Sequence, residues 1–225
     1  MEPELFTTAD GSHSLRSPQF SAAYHSTHGA INESRHIYIE SGLLPYLERG
    51  QAAIRVLEMG LGTGLNALLS WNHLRKFPTI RVDYTAFESF PISAEQAEQL
   101  NYPELLKIPR DPFLALHRAE FGKVLSLGEQ FCFTKYRQDF LAASPTPDFD
   151  LIYYDAFAPE QQPELWTVEA MAHCARWLKP GGTLVTYCAK GQFKRNLRAA
   201  GFQVEALPGP IGKREITRAN LVNLA

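Results

Sequence analysis

The chain has 225 residues, of which 45% are apolar and 20% charged, with 22 basic against 24 acidic side chains. That length suits one domain with additions and a core of ordinary size, and that composition argues against disorder. With a net charge of −2 and a sequence pI near 6.4 there is no global basic signature, so any nucleic-acid contact would need a local patch.

Residues 1 to about 52 read as an irregular arm with one strand-like run, His36-Ile37-Tyr38-Ile39-Glu40. The pattern then becomes regular. Ile54 to Met59 is a short apolar strand ending in glycines, Leu65 to Lys76 a helix, Arg81 to Glu88 a second strand, and Pro91-Ile92-Ser93 opens a helix through Leu100. Residues 101–128, punctuated by Pro103, Pro109 and Pro112, read as an insertion with one helix near Phe113–Glu120. Alternation resumes with strands at Phe131–Tyr136 and Leu151–Tyr154, a helix over Trp166–Leu178 stopped by Pro180-Gly181-Gly182, and a strand at Thr183–Cys188. A helix at Phe193–Ala200, a strand at Phe202–Leu207, a Gly/Pro turn and a last strand from about Arg214 complete the chain. This predicts an α/β fold with a doubly wound, mostly parallel sheet. The last two strands meet across a turn with no helix between them, so the terminal strand is expected to be antiparallel. That combination is the pattern of Rossmann-like class I methyltransferases. The expected division is an arm over 1–52 packing on a main domain over 53–225.

Cys132, Cys174 and Cys188 form no CxxC pair, which argues against a disulfide framework and a structural zinc site and fits a reducing compartment. The polar, acidic start lacks the basic and apolar regions of a signal peptide, and no stretch approaches the roughly 20 apolar residues of a membrane span. A cytoplasmic protein with no membrane partner is expected. The seven histidines show no ligand spacing, so no metal is expected either.

The sharpest local signal is Glu58-Met59-Gly60-Leu61-Gly62-Thr63-Gly64-Leu65-Asn66, between a strand and a helix. Glycines permit a tight turn and close approach of a ligand to the backbone. Glu58, just before them, would repel a pyrophosphate and suits a cationic ligand such as the sulfonium and amino group of S-adenosylmethionine. Glu58, Gly60, Gly62, Gly64 and Asn66 are therefore candidate cofactor contacts. Glu88, at the end of the second strand, stands where ribose hydroxyls are bound in such sheets. Asp139, after the third strand, can accept from an adenine amino group while Phe140 covers the ring, or it can cap the following helix. Asp155 ends the fourth strand, at the sheet edge where chemistry sits. A carboxylate there can orient an amine nucleophile and take charge from it, and Phe157 could stack on a base. Late in the chain, Lys190, Lys194, Arg195, Arg198, Lys213, Arg214 and Arg218 face only Glu205 and Glu215. On charge alone this cluster reads equally as a phosphate-attracting patch and as a solvated helix face.

Taken together, these segments resemble the methyltransferase module of the bifunctional tRNA wobble-uridine enzyme that makes 5-methylaminomethyl-2-thiouridine. The resemblance runs from about Tyr24 to about Glu215. It rests on Glu33-Ser34-Arg35, the Glu58–Asn66 loop, Phe87-Glu88-Ser89-Phe90-Pro91, Tyr154–Pro159 with Pro163–Thr167, Lys179–Leu184, and Gly212-Lys213-Arg214-Glu215. It implies S-adenosylmethionine-dependent methylation of the exocyclic amine of a 5-aminomethyl group on the wobble uridine of tRNA. Glu58 and the glycines would then hold the methionine part, Glu88 the ribose and Asp139 the adenine, with Asp155 beside the acceptor amine. Lys190, Lys213 and Arg214 would lie near the RNA entrance, and Glu33 and Arg35 would close the site from the arm. The bifunctional form tends to carry serine where this chain has Cys188. With no second dinucleotide loop before Ala225, the chain resembles the stand-alone methyltransferase form, and no flavin is expected. The competing readings are a methyltransferase of small-molecule amines or carboxylates, a nicotinamide-dependent reductase, which Glu58 and the GxGxG spacing oppose, and a cofactor-binding subunit without chemistry of its own.

Overall fold

The computed structural model of the protein describes residues 3–146 and 148–222; residues 1–2 and 223–225, the outer ends of the two expected segments, lie outside the described residues. The main sheet contains β4 (Ala53–Met59), β5 (Arg81–Phe87), β6 (Leu125–Leu127), β7 (Phe131–Tyr136), β8 (Phe149–Tyr154), β9 (Leu178–Thr186), β10 (Phe202–Pro208) and β11 (Glu215–Leu221). Their spatial order is β10-β11-β9-β8-β4-β5-β7-β6. The four pairings that join β9, β8, β4, β5 and β7 are parallel. β11 is inserted antiparallel between β9 and β10, as its turn connection requires, and β6 is antiparallel at the other edge.

Alternate residues of each strand feed two separate cores. Val56, Tyr84, Tyr153 and Val185 pack on one face with Ile37, Ile39 and Leu68, while Leu57, Ile152, Tyr154 and Leu184 pack on the other with Met171, Trp177 and Phe193. The first face is covered by α3 (Leu65–Leu74), α4 (Ala94–Glu98), α5 (Tyr102–Leu106) and α6 (Arg110–Arg118). The second is covered by α7 (Val168–Trp177) and α8 (Gly191–Ala199). The central strand β8 is buried at every position, which is why Leu151–Tyr154 reads as an unbroken apolar run rather than an alternating one.

The arm corrects the sequence expectation. It is not irregular: β1 (Glu4–Thr7), β2 (His13–Ser17) and β3 (Ala22–Ala23) form a small antiparallel sheet. His36–Glu40 is not a strand. It lies within a π-helical segment, Arg35–Leu43, that continues α1 (Ala30–Ser34) and leads into α2 (Leu44–Glu48). Three consecutive buried residues, Ile37, Tyr38 and Ile39, suggested a strand, since an ordinary helix surface buries only part of such a run. Here the helix is wedged between the sheet and α3, and the wider π turn lets the whole run find cover. Gly42 makes the close approach possible: a Cβ there would stand 3.0 Å from Val185 Cγ2.

Smaller corrections share the same logic. The 101–128 insertion holds two helices and an edge strand rather than one helix, with Pro103 and Pro112 tolerated in first turns. α7 starts at Val168, capped by the Thr167 side chain (Oγ1 accepting from Ala170 N, 3.2 Å), and Trp166 belongs to a preceding 3₁₀ turn. β9 begins at Leu178, so Pro180-Gly181-Gly182 forms an irregular strand entry with a register shift against β8.

Candidate active site

The parallel strands end level with one another. Gly60 N donates to Phe87 O (3.0 Å), Glu88 N to Tyr136 O (3.0 Å) and Asp155 N to Met59 O (3.0 Å). The residues immediately after these strands therefore share one edge, the place where open α/β sheets bind ligands. A cavity of about 890 Å³ opens there. Of the sequence candidates, Gly60, Gly62, Glu88, Asp139, Phe140, Asp155, Phe157, Glu33 and Lys213 line it. Glu58, Gly64, Asn66, Arg35, Lys190 and Arg214 do not.

The glycine loop is shaped by contacts no side chain could tolerate. Gly60, at φ +88°, brings its α-carbon so near the Asp155 carbonyl that a Cβ would sit 2.7 Å from the oxygen. Gly62, at φ +51°, is covered by the ring of Tyr24 from the arm, 2.9 Å from where a Cβ would be. Glu88 stitches the loop in place: its Oε2 accepts from Gly62 N (2.8 Å) and its Oε1 from Phe90 N (2.7 Å). Burial pushes its carboxyl up against those bonds. Asp139 takes the capping role that the sequence left open, accepting from Leu141 N (2.9 Å), while still facing the cavity. Phe140 is largely a core residue, stacked on Trp177 with ring centroids 6.1 Å apart.

Asp155 is the centre of the polar network. Tyr38 donates its hydroxyl to Asp155 Oδ1 (2.6 Å), and Asn66 donates Nδ2 to Asp155 Oδ2 (2.8 Å). Burial nevertheless raises the Asp155 carboxyl to about 7, against the lowering effect of those two donors. The same Asn66 Nδ2 reaches Glu58 Oε1 (2.9 Å). Glu58 is 0% exposed, its Oε2 has no hydrogen-bond partner, and burial lifts its carboxyl well above the usual carboxylate range. Burial there disfavours the charged form of the acid. Glu58 thus lies beneath the loop rather than in the cavity lining, and Asn66 links it to Asp155.

The late basic cluster is partly paired with acids. Lys190 pairs with Glu160, Lys194 with Glu215, Arg218 with Glu205 and Lys213 with Glu33, so four of its seven members have acidic partners. Lys190 caps α8 away from the cavity lining.

Several residues at the site escaped the sequence reading. Tyr38 was hidden inside the misread strand. Tyr187 stands just past β9 and donates to Ala156 O (2.8 Å); its place one residue beyond a strand end was the available signal. Phe20, whose ring lies 4.6 Å from that of Phe157, and Tyr24 roof the cavity from the arm. Thr63 is held from both sides, by His25 through its Oγ1 (2.7 Å) and by His117 through its carbonyl (3.1 Å). Burial depresses both imidazoles to about 4, so they stand neutral against the loop.

No helix among the described residues is long and apolar enough to cross a membrane, and no group of three or more His, Cys, Asp or Glu among them is arranged to hold a metal ion. A family model described as S-adenosyl-L-methionine-dependent methyltransferase matches residues 131–222. The chain is 31% identical over 215 residues to the tRNA 5-methylaminomethyl-2-thiouridine biosynthesis bifunctional protein MnmC of Azoarcus sp. (strain BH72), and 32% identical over 214 residues to that of Paracidovorax citrulli. Each match covers 90% of this chain and 33% of the relative, so the chain spans about a third of the length of these curated relatives. The crystal structure of MnmC2 from Aquifex aeolicus superposes with a TM-score of 0.77 at 28% identity, covering 97% of this chain and 70% of that one. The chain has the Rossmann-like fold of class I S-adenosylmethionine-dependent methyltransferases, and over nine tenths of its length it resembles a third of the bifunctional tRNA 5-methylaminomethyl-2-thiouridine biosynthesis proteins.

Proposed function

We propose that the chain catalyses S-adenosylmethionine-dependent methylation of the exocyclic amine of a 5-aminomethyl group on the wobble uridine of tRNA. The observation that carries this reading is the position of Asp155: a carboxylate fixed by Tyr38 and Asn66, in one cavity with the glycine loop. The residues present fit the donor. Gly60, Gly62 and Glu88 line the cavity at the sheet edge, with the Glu88 carboxylate at the nucleoside position, and Asn66 Oδ1 beneath the loop is buried with no hydrogen-bond partner in the protein. When bound, S-adenosylmethionine supplies a methyl group activated by its sulfonium. The chain's own task is to present the amine. An amine attacks only through a free lone pair, so Asp155 accepts an N–H bond from it and takes up the proton it must shed, while Phe157 and Phe20 cover the base. Acting on tRNA places this chemistry in the cytoplasm.

The deciding experiment is mass analysis of the wobble nucleoside in tRNA from cells lacking the protein, paired with methylation of that tRNA by the purified chain. Accumulated 5-aminomethyl-uridine, converted in vitro to its monomethyl form, supports the reading; an unchanged nucleoside profile ends it. The paired state of four of the seven late basic residues favours a second reading, methylation of a small-molecule amine. Turnover of free alkylamines without any turnover of tRNA would select it.

Two expected results concern the polar network. The Tyr38 hydroxyl stabilises the ionised form of Asp155, so Tyr38→Phe should raise that carboxyl further above about 7. The rising limb of kcat/KM against pH then moves to higher pH, which steady-state rates between pH about 6 and about 9 will reveal. Glu58→Gln keeps the bond from Asn66 and offers an amide hydrogen to the partnerless Tyr84 hydroxyl beside it. Because Glu58 does not line the cavity and burial disfavours its charged form, donor affinity by calorimetry should stay within about threefold of wild type, or about 0.6 kcal/mol.

A further inference from the structure

Next to Asp155 the cavity wall already holds an ammonium, and it belongs to the chain. Lys213 lies in the turn between β10 and β11, just after Gly212, and its side chain enters the cavity. Its Nζ is 3.3 Å from Glu33 Oε1 and 4.9 Å from the centroid of the Tyr187 ring. Both partners are themselves held in place. Glu33 Oε2 accepts from Ser26 N (2.8 Å), and the Tyr187 hydroxyl donates to Ala156 O (2.8 Å). The Glu33 side chain is 13% exposed and that of Lys213 28%, so the pair is shielded from bulk water. A fixed carboxylate plus a ring face within about 6 Å is the arrangement that recognises alkylammonium groups. Lys190, Lys194 and Arg218 also carry acidic partners, but none of these three lines the cavity.

We propose that Lys213 is an internal stand-in for the acceptor: its ammonium fills a carboxylate–aromatic cage of Glu33 and Tyr187 that receives the substrate's primary alkylammonium once the lysine swings out. For the identity of the substrate this rests on the function proposed above; the cage itself concerns cations alone. The exchange swaps one ammonium for another, so Glu33 keeps a cationic partner throughout. The lysine stem can leave because its turn ends at the surface, where Ile211 is 79% exposed. This role is opposite in sign to that of a phosphate-binding lysine at an RNA entrance. Removing a phosphate ligand weakens substrate binding, whereas removing an occupant strengthens it.

The test uses the full chain and n-propylammonium chloride as the probe, with sodium chloride at equal ionic strength as control, and reads binding by NMR titration without donor or tRNA. Lys213→Met should bind propylammonium at least about tenfold more tightly than wild type, and the double variant Lys213→Met/Glu33→Gln should lose that gain. Lys213→Gln serves as a second single variant should the methionine form not fold. Equal or weaker propylammonium binding in the single variants overturns the proposal, as does a gain that survives loss of the Glu33 charge. In parallel, the KM for tRNA should fall or hold steady in Lys213→Met; a several-fold rise overturns the stand-in role. Propylammonium binding as expected, with no tRNA methylation by any form of the chain, would sink the substrate reading and leave the cage. Intact tRNA methylation with no cage behaviour would do the reverse.

Discussion

Asp155→Asn should cut turnover by about 10²–10⁴-fold and, above neutral pH, make the protein more stable. In the proposed mechanism, loss of the group that takes the amine's proton removes about 10²–10⁴-fold in rate, while donor binding, which the proposal assigns to Gly60, Gly62 and Glu88, stays intact. The stability effect arises because burial pushes the carboxyl up to about 7 from 3.8. The folded state holds this proton more tightly than the unfolded chain does. The contribution to stability is therefore complete below pH about 3.8 and disappears as pH rises through about 7. At pH 8 the native protein carries a poorly solvated charge that the variant lacks. At about 1.4 kcal/mol per pH unit, and reduced by water in the cavity, the variant should gain up to about 2 kcal/mol. Melting at pH 8 and at pH 4 decides the matter: the gain should appear at pH 8 and vanish at pH 4. A variant with near-normal rates on tRNA would remove Asp155 from the acceptor site.

Gly60→Ala should damage stability and donor binding together. Its Cβ would collide with the Asp155 carbonyl oxygen at 2.7 Å, a backbone atom that cannot yield as a flexible side chain can. Left-handed strain adds to the collision, for a total of about 2 kcal/mol. Loop and acceptor strand must then separate, so affinity for S-adenosylmethionine should fall at least about tenfold, or about 1.4 kcal/mol. Gly128→Ala is the control. Gly128 has a similar φ of +74°, but a Cβ there meets nothing within 4 Å. It isolates the backbone strain and should leave donor binding alone. Equal donor affinity in both variants would show that the contact between loop and strand is unimportant.

The main domain was legible because its signals are local. β7 was read to the residue from Phe131 to Tyr136, and the antiparallel last strand could be inferred from a turn too short for a helix. Glu88 and Asp155 were legible because a strand end alone puts them at the binding edge. What failed was everything set by distant packing. The Ile37-Tyr38-Ile39 run reads as a strand until α3 and the sheet enclose it on both sides. Glu58 looked like a charged ligand because a sequence shows the acid but not that its side chain is buried beneath the loop, outside the cavity lining. The late lysines and arginines looked free because their acidic partners, Glu33 and Glu160 among them, are remote in sequence. Lys213, assigned to the RNA entrance by resemblance, lines the same cavity as Asp155.

The π-helical stretch governs how this chain tolerates change in length. It carries Tyr38 and joins Glu33, with its contacts in the cavity, to Tyr46, whose hydroxyl is anchored 2.6 Å from the Asp150 carbonyl under the sheet. Each residue removed from an α-helix rotates the part before the deletion by about 100° relative to the part after it. A single-residue deletion between Ile39 and Leu43 would relax the wide turn to ordinary α geometry, yet it would swing the Tyr38 hydroxyl and the Glu33 carboxylate off the cavity axis. Point substitutions in this segment can be absorbed by repacking; an altered residue count cannot, because the angular phase between anchor and acceptor site is itself the thing being specified.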